Sequence, residues 1–121
     1  MIFVAVIIIL GSVVVVVSIE AAARGRLGIN SLVGLRVPSV MSSDEAWRRG
    51  HAAARIPVWI GASGATVGAL VSLALSEGAR SIAETTSTAI LLVGVIVGGV
   101  VASQTAKSVM PPVFDDLPPA S

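Results

Sequence analysis

Three long apolar runs separated by two polar stretches set the pattern of this chain. The first run, residues 2–19, is interrupted only by Gly11, Ser12 and Ser18, and comparable runs cover 57–76 and 88–106. In water the Val and Ile content of the first run would favour a strand. In lipid the backbone must satisfy its own hydrogen bonds, so a run of this length predicts a helix. Eighteen residues at about 1.5 Å each cover roughly 27 Å, close to the thickness of a bilayer's hydrocarbon core. The pattern predicts an all-α transmembrane protein with three spans forming a single membrane domain over 1–121. A cleaved signal peptide is the rival reading of the first run, because Ala21, Ala22 and Ala23 form a small-residue site. No basic residue precedes that run, and it is longer than a typical signal core, so a retained span is expected.

The polar stretch 20–56 is the most structured in sequence terms. Gly25, Gly28 and Gly34 mark turns, and Pro38 holds Val37 extended. Ser42 followed three residues later by Glu45 is a capping-box pattern, and Asp44 and Glu45 suit the positive end of a helix dipole. A helix is expected from about residue 43. Trp47, His51 and Arg55 recur every fourth residue and share one face of it. A Trp and snorkelling arginines at this place predict an amphipathic interfacial helix lying along the membrane surface, kinked at Pro57 into the second span. Trp59 stands near the start of that span.

Small residues repeat every fourth position in the two later spans: Gly64, Gly68, Ser72 and Ser76, then Gly94, Gly98, Ala102 and Ala106. Such ridges let helix backbones approach closely where lipid offers no hydrophobic drive for association. The short polar stretch 77–87 between them favours an intramolecular hairpin, with a homo-oligomer through one ridge as the competing arrangement. The stretch 110–121, with Pro111, Pro112, Pro118, Pro119, Asp115 and Asp116, reads as a disordered tail. Its Val113, Phe114 and Leu117 could also serve as a short partner-binding motif.

Composition agrees with a membrane protein: 55% hydrophobic and 12% charged residues, against about 25% charged in soluble domains. The net charge of +1 conceals a strong asymmetry. Six of the eight basic residues (Arg24, Arg26, Arg36, Arg48, Arg49 and Arg55) lie in 20–56. The stretch 77–87 has Arg80 against Glu77 and Glu84, and Lys107 follows the third run. By the positive-inside rule the first loop and the C-terminus are expected in the cytoplasm and the N-terminus outside. With no Cys, disulfides and thiolate chemistry are excluded.

Candidate chemistry is sparse. The three spans hold no ionisable residue, which argues against proton-coupled transport by this chain alone. His51 lacks the company of a ligand set and is expected to bond to a neighbour or a headgroup. Glu77 and Glu84 read as solvated, with Arg80 between them. No phosphate loop or hydrolytic triad is present. An enzyme, a cofactor and a nucleic-acid partner are therefore not expected. Most of the arginines read as topology signals and anionic-lipid contacts, each worth about 1 kcal/mol near an anionic surface. Arg36 differs, because a turn glycine and a proline bracket it. It either pins the loop through Glu45, Asp44 or a helix-end carbonyl, or it meets a ligand's carboxylate or phosphate.

The series Asn30, Gly34-Leu35-Arg36-Val37-Pro38-Ser39, Ser42 or Ser43, Glu45, Trp47 and His51 resembles the signature of the SdpI family, small bacterial membrane proteins named for immunity to a secreted peptide toxin. The chain departs from that pattern at Val33, where the family more often has an aromatic residue. The resemblance implies protection from a membrane-active peptide, or signalling of its presence by capture of a cytoplasmic regulator, for which a basic loop with an exposed Trp is suited. It marks Asn30, Gly34, Arg36, Pro38, Ser42, Glu45, Trp47 and His51 as motif residues. The alternative is a small accessory subunit with no activity of its own, packed through Gly64, Gly68, Gly94 and Gly98 against a larger membrane complex.

Overall fold

In the computed structural model, the described residues are 2–30, 34–35 and 38–109. They form three long helices in up-down-up order: α1 (Ile2–Ala23), α2 (Asp44–Ser72) and α3 (Glu77–Ser108), with a single 3-10 turn (Val40–Ser42) ahead of α2. All three helices are long and apolar enough to cross a membrane. Their side chains are sorted in the sense that lipid demands. Large apolar residues face outward, among them Phe3, Leu10, Val14, Ile60, Leu92 and Ile96, while Ala5, Ala54, Ala62, Ala65, Ala69 and Ala102 are buried between helices. A protein folded in water would bury the large residues. The polar atoms at depth are satisfied within their own helices: the hydroxyls of Ser12, Ser72 and Ser87 donate to the carbonyls of Ile8, Ala69 and Ala83 at 2.6–2.8 Å.

Each helix end has a chemical cause. Past Ala23 the chain reverses at Gly25, whose φ of 75° suits glycine. The Gly25 N–H donates to the Ala22 carbonyl and the Arg26 N–H to the Ala21 carbonyl, the bond pair of a Schellman motif. α2 starts at Ser43, whose extended backbone (φ −160°) lets its hydroxyl accept from the Ala46 N–H at 3.0 Å. The capping residue is thus Ser43, not Ser42. Ser42 belongs to the preceding 3-10 turn, and its hydroxyl donates to the Ser39 carbonyl. At the far end Arg80 reaches back to the carbonyls of Ser72, the last residue of α2, and of Leu75 in the connection.

Two features differ from the sequence expectation. α2 runs unbroken from Asp44 to Ser72 with Pro57 inside it, so no separate interfacial helix precedes the second span. A proline removes one hydrogen bond, and packing against two neighbouring helices holds the rest of the ladder. At 29 residues the helix is about 43 Å long, well beyond a hydrocarbon core of about 30 Å. Its polar N-terminal turns, before the apolar run that opens near Ile56, therefore stand outside the core. The second difference is that 77–87 is no loop. It forms the opening turns of α3, and only 73–76 connect α2 to α3.

α2 is the central helix and packs against both others, most extensively against α3. The closest approach is at Gly61 and Gly94, where a Cβ built on either glycine would lie 2.8 Å from the other's Cα. Gly64 and Gly68 lie further along, against Ile90 and Ser87. Gly98 faces Val58 and Ala54, with Ala102 and Ala106 buried beyond it. A second core at the opposite end joins Ala5 and Ile8 of α1 to Ala65 and Ala69 of α2.

Candidate functional site

The described parts of the connection between α1 and α2 lie over the end of the bundle, where the C-terminus of α1, the N-terminal turns of α2 and the C-terminal turns of α3 meet. Its anchor is one face of α2. Trp47 and His51, one turn apart, are 2% and 0% exposed, with ring centroids 4.3 Å apart. The expectation of an exposed, headgroup-level Trp47 is corrected by this burial. The reason is the loop itself, which covers the face that sequence spacing leaves open. The more exposed indole is Trp59.

Three contacts fix the loop to that face. The Trp47 indole N–H donates to the Leu27 carbonyl at 2.7 Å. The Leu35 N–H donates to His51 Nε2 at 2.9 Å. Between these points Gly34 lies against both rings. A Cβ there would stand 2.7 Å from Trp47 Cη2 and 3.0 Å from His51 Nε2, and the residue's φ is 106°. Only glycine meets both conditions without strain. Further along, the Ser39 and Ser103 hydroxyls share a 3.0 Å hydrogen bond, tying the loop to α3. Val40 is fully buried against Gly50.

The protonation state of His51 follows from its partners. A backbone amide can only donate, so Nε2 carries the lone pair. The proton therefore sits on Nδ1, which donates to the Trp47 carbonyl at 2.7 Å. Burial holds this imidazole's pKa below the ordinary 6.5, against the opposing pull of the Trp47 carbonyl. A depressed folded pKa means that the neutral ring's contribution to stability is complete above about pH 6.5. It is lost as the pH falls from there towards the folded value, because the unfolded chain takes up the proton first.

The other motif positions have plainer surroundings. Asn30 donates to the Gly28 carbonyl at 2.9 Å. Pro38 is exposed in a turn. Glu45 is exposed and pairs with Arg49 one turn on, at 3.1 Å, a contact of the kind worth only a few tenths of a kcal/mol. Arg36 and the tail 110–121 lie outside the described residues. Under Gly34 and Leu35 an apolar cleft of about 220 Å³ opens between α1 and α3. Among the described residues no three His, Asp or Glu side chains come together as a metal site would require.

A second polar cluster was not singled out by sequence reading. The Glu20 carboxylate accepts from Arg55 Nε at 2.6 Å, from Trp59 Nε1 at 2.9 Å and from Arg24 Nε at 3.2 Å. The four-residue steps Glu20–Arg24 and Arg55–Trp59 are visible in the sequence. Their convergence needs the packing of α1 on α2. The loop is therefore held at both of its roots, by Glu20 on one side and by Trp47 and His51 on the other.

No curated protein and no solved structure matches the chain. The model of the SdpI/YfhL protein family matches residues 26–103, a segment that takes in the connection from Arg26, all of α2 and α3 as far as Ser103. This membrane protein therefore belongs to the SdpI/YfhL family.

Proposed function

We propose that this chain acts as an SdpI-type immunity or signalling protein, without catalysis, and that the loop around residues 30–38 is its working surface. The observation that carries this reading is the use to which the motif residues are put. Gly34, Trp47 and His51 spend their chemistry on holding the loop: both His51 nitrogens and the Trp47 N–H bond to backbone. A histidine with both nitrogens so engaged has no lone pair for general-base work or metal binding. Residues held in this way maintain a shape, and a fixed shape serves recognition. Arg36, bracketed by Gly34 and Pro38, is the residue we assign to contact with a peptide toxin or a cytoplasmic regulator, because a guanidinium can take a carboxylate in a bidentate grip.

The test is growth of a deletion strain and an Arg36→Ala strain, in the native host, under secreted toxic peptides of related bacteria. Sensitivity of both strains, with the variant present in membranes at wild-type level, is the expected result. If neither strain differs from wild type, the immunity reading fails. The accessory-subunit reading then leads, and is pursued by a pull-down in mild detergent.

We further infer that the pinned loop and the C-terminal end of α3 face the cytoplasm of a bacterial inner membrane, with the N-terminus outside. The support is the concentration of arginines in 20–56, with Lys107 at the same end of the bundle. Gly28→Cys and Gly78→Cys place thiols at positions where a Cβ meets open space, at opposite ends of the bundle. An impermeant maleimide added to intact spheroplasts should label the second and spare the first. Labelling in the reverse sense would invert the topology.

A further inference from the structure

We propose that the groove between α1 and α2 is a binding site for an anionic phospholipid, with an acyl chain lying between the helices and the phosphate on Arg24 and Arg55. This goes beyond the reading of the motif loop and does not depend on it. Between α1 and α2 runs an open groove of about 490 Å³ walled by Val13, Val16, Val17, Trp59, Ala62 and Val67. Its upper end continues into a second hollow of about 350 Å³. Val16, Val17 and Trp59 line that hollow too, now joined by Glu20, Arg24 and Arg26. The shared walls set the charged hollow directly against the groove, which is apolar below. From Trp59 to Val67 the groove descends roughly 12 Å along α2, the direction an acyl chain takes from headgroup level into the core.

The mouth is organised for an anion. Glu20 takes one N–H from each of Arg24 and Arg55, in both cases the Nε–H. The terminal amino groups of these arginines carry no hydrogen bond to a described residue. Glu20 is mostly shielded, its side chain 15% exposed, while those of Arg24 and Arg55 are 58% and 44% exposed. The carboxylate therefore holds one guanidinium on each of its oxygens, Arg24 at the mouth itself and Arg55 beside it in a neighbouring hollow that shares Trp59, and Arg26 adds a third positive charge against the single negative one. Paired guanidinium forks suit the oxygens of a phosphodiester. Trp59, tied to Glu20 and 47% exposed, sits between charge and groove, the level at which indoles accumulate in bilayers. An apolar groove alone would accept any lipid. The arginine pair is what selects an anionic one.

Trp59 reports occupancy directly. The full-length protein is placed in nanodiscs in which either the phosphatidylglycerol or the phosphatidylcholine carries brominated chains, and Trp59 emission is taken as the difference from a Trp59→Phe variant. Brominated phosphatidylglycerol is expected to reach half-maximal quenching at a roughly tenfold lower mole fraction than brominated phosphatidylcholine. Arg24→Gln with Arg55→Gln should bring the two curves together. Ser63→Phe, which fills the groove wall, should reduce quenching by both lipids. Coincident curves in the wild-type protein would overturn the proposal, leaving only a nonselective lipid shell. Absence of quenching by either lipid would also overturn it, by showing the groove covered by another protein surface. A preference that survives the double arginine substitution would remove the phosphate contact from the account.

Discussion

Gly34→Ala is expected to lower stability by about 2–4 kcal/mol, counting the left-handed backbone and the steric clash together. At φ 106° an L side chain is strained before any neighbour is considered. The added methyl would also meet the six-membered edge of Trp47 at 2.7 Å and His51 Nε2 at 3.0 Å. Neither ring can withdraw easily, since Trp47 is bonded to the Leu27 carbonyl and His51 to its own helix and to Leu35. The loop is the softer partner and should lift. Thermal unfolding in detergent measures the cost. Limited trypsin digestion locates it, with cleavage after Arg26 or Arg36 accelerating before any cut within the helices. Wild-type stability together with wild-type digestion would show that Gly34 is not in contact with the rings.

Gly94→Ala is expected to cost about 2–3 kcal/mol, at the upper end of overpacking effects. Its Cβ would stand 2.8 Å from Gly61 Cα and 2.9 Å from the Pro57 carbonyl. Both are backbone atoms, so relief requires α2 and α3 to move apart along their main contact. Gly99→Ala supplies the control, for its Cβ meets no atom within 4 Å. There the gain in helix propensity should leave stability unchanged or raise it by up to about 1 kcal/mol. Gly64→Ala should fall between the two, since its obstacle is the Ile90 side chain at 3.1 Å, which can rotate. Equal effects at Gly94 and Gly99, measured by denaturation in detergent, would contradict a backbone-to-backbone crossing.

These glycines show how much of the fold the sequence carries. The three helices are legible from run length alone, because lipid leaves an apolar segment no other way to satisfy its backbone. Small residues every fourth position name the faces at Gly64, Gly68, Gly94 and Gly98. They do not name the crossing point. Gly61 lies off the four-residue series through Gly64, and its part is set by where α3 meets α2. The proline at 57 reads as a kink from local preference, and packing on both sides carries the helix through it.

The candidate site is legible in its components and not in its contacts. Spacing places Trp47 and His51 on one face, and a motif names Gly34. What closes the site is a backbone donor at Leu35 and a backbone acceptor at Leu27, groups that every residue possesses and no pattern marks. The same limit applies to Ser42 and Ser43: both have the right side chain, and only the backbone angles decide which one caps α2. The Glu20 cluster joins residues 35 and 39 positions apart, beyond the reach of any local rule.

The most direct test of the pinned loop is hydrogen exchange at the Leu35 amide in the folded protein, expressed as protection relative to the intrinsic rate at each pH. Strong protection is predicted above pH 6.5, weakening as the pH falls below that value and His51 is driven towards its charged form, which cannot accept from Leu35. In His51→Ala the protection should be absent at every pH while the α2 and α3 core amides keep theirs. A Leu35 amide that exchanges in the wild-type protein as fast as an open loop, or one whose protection is untouched by His51→Ala, would contradict the account.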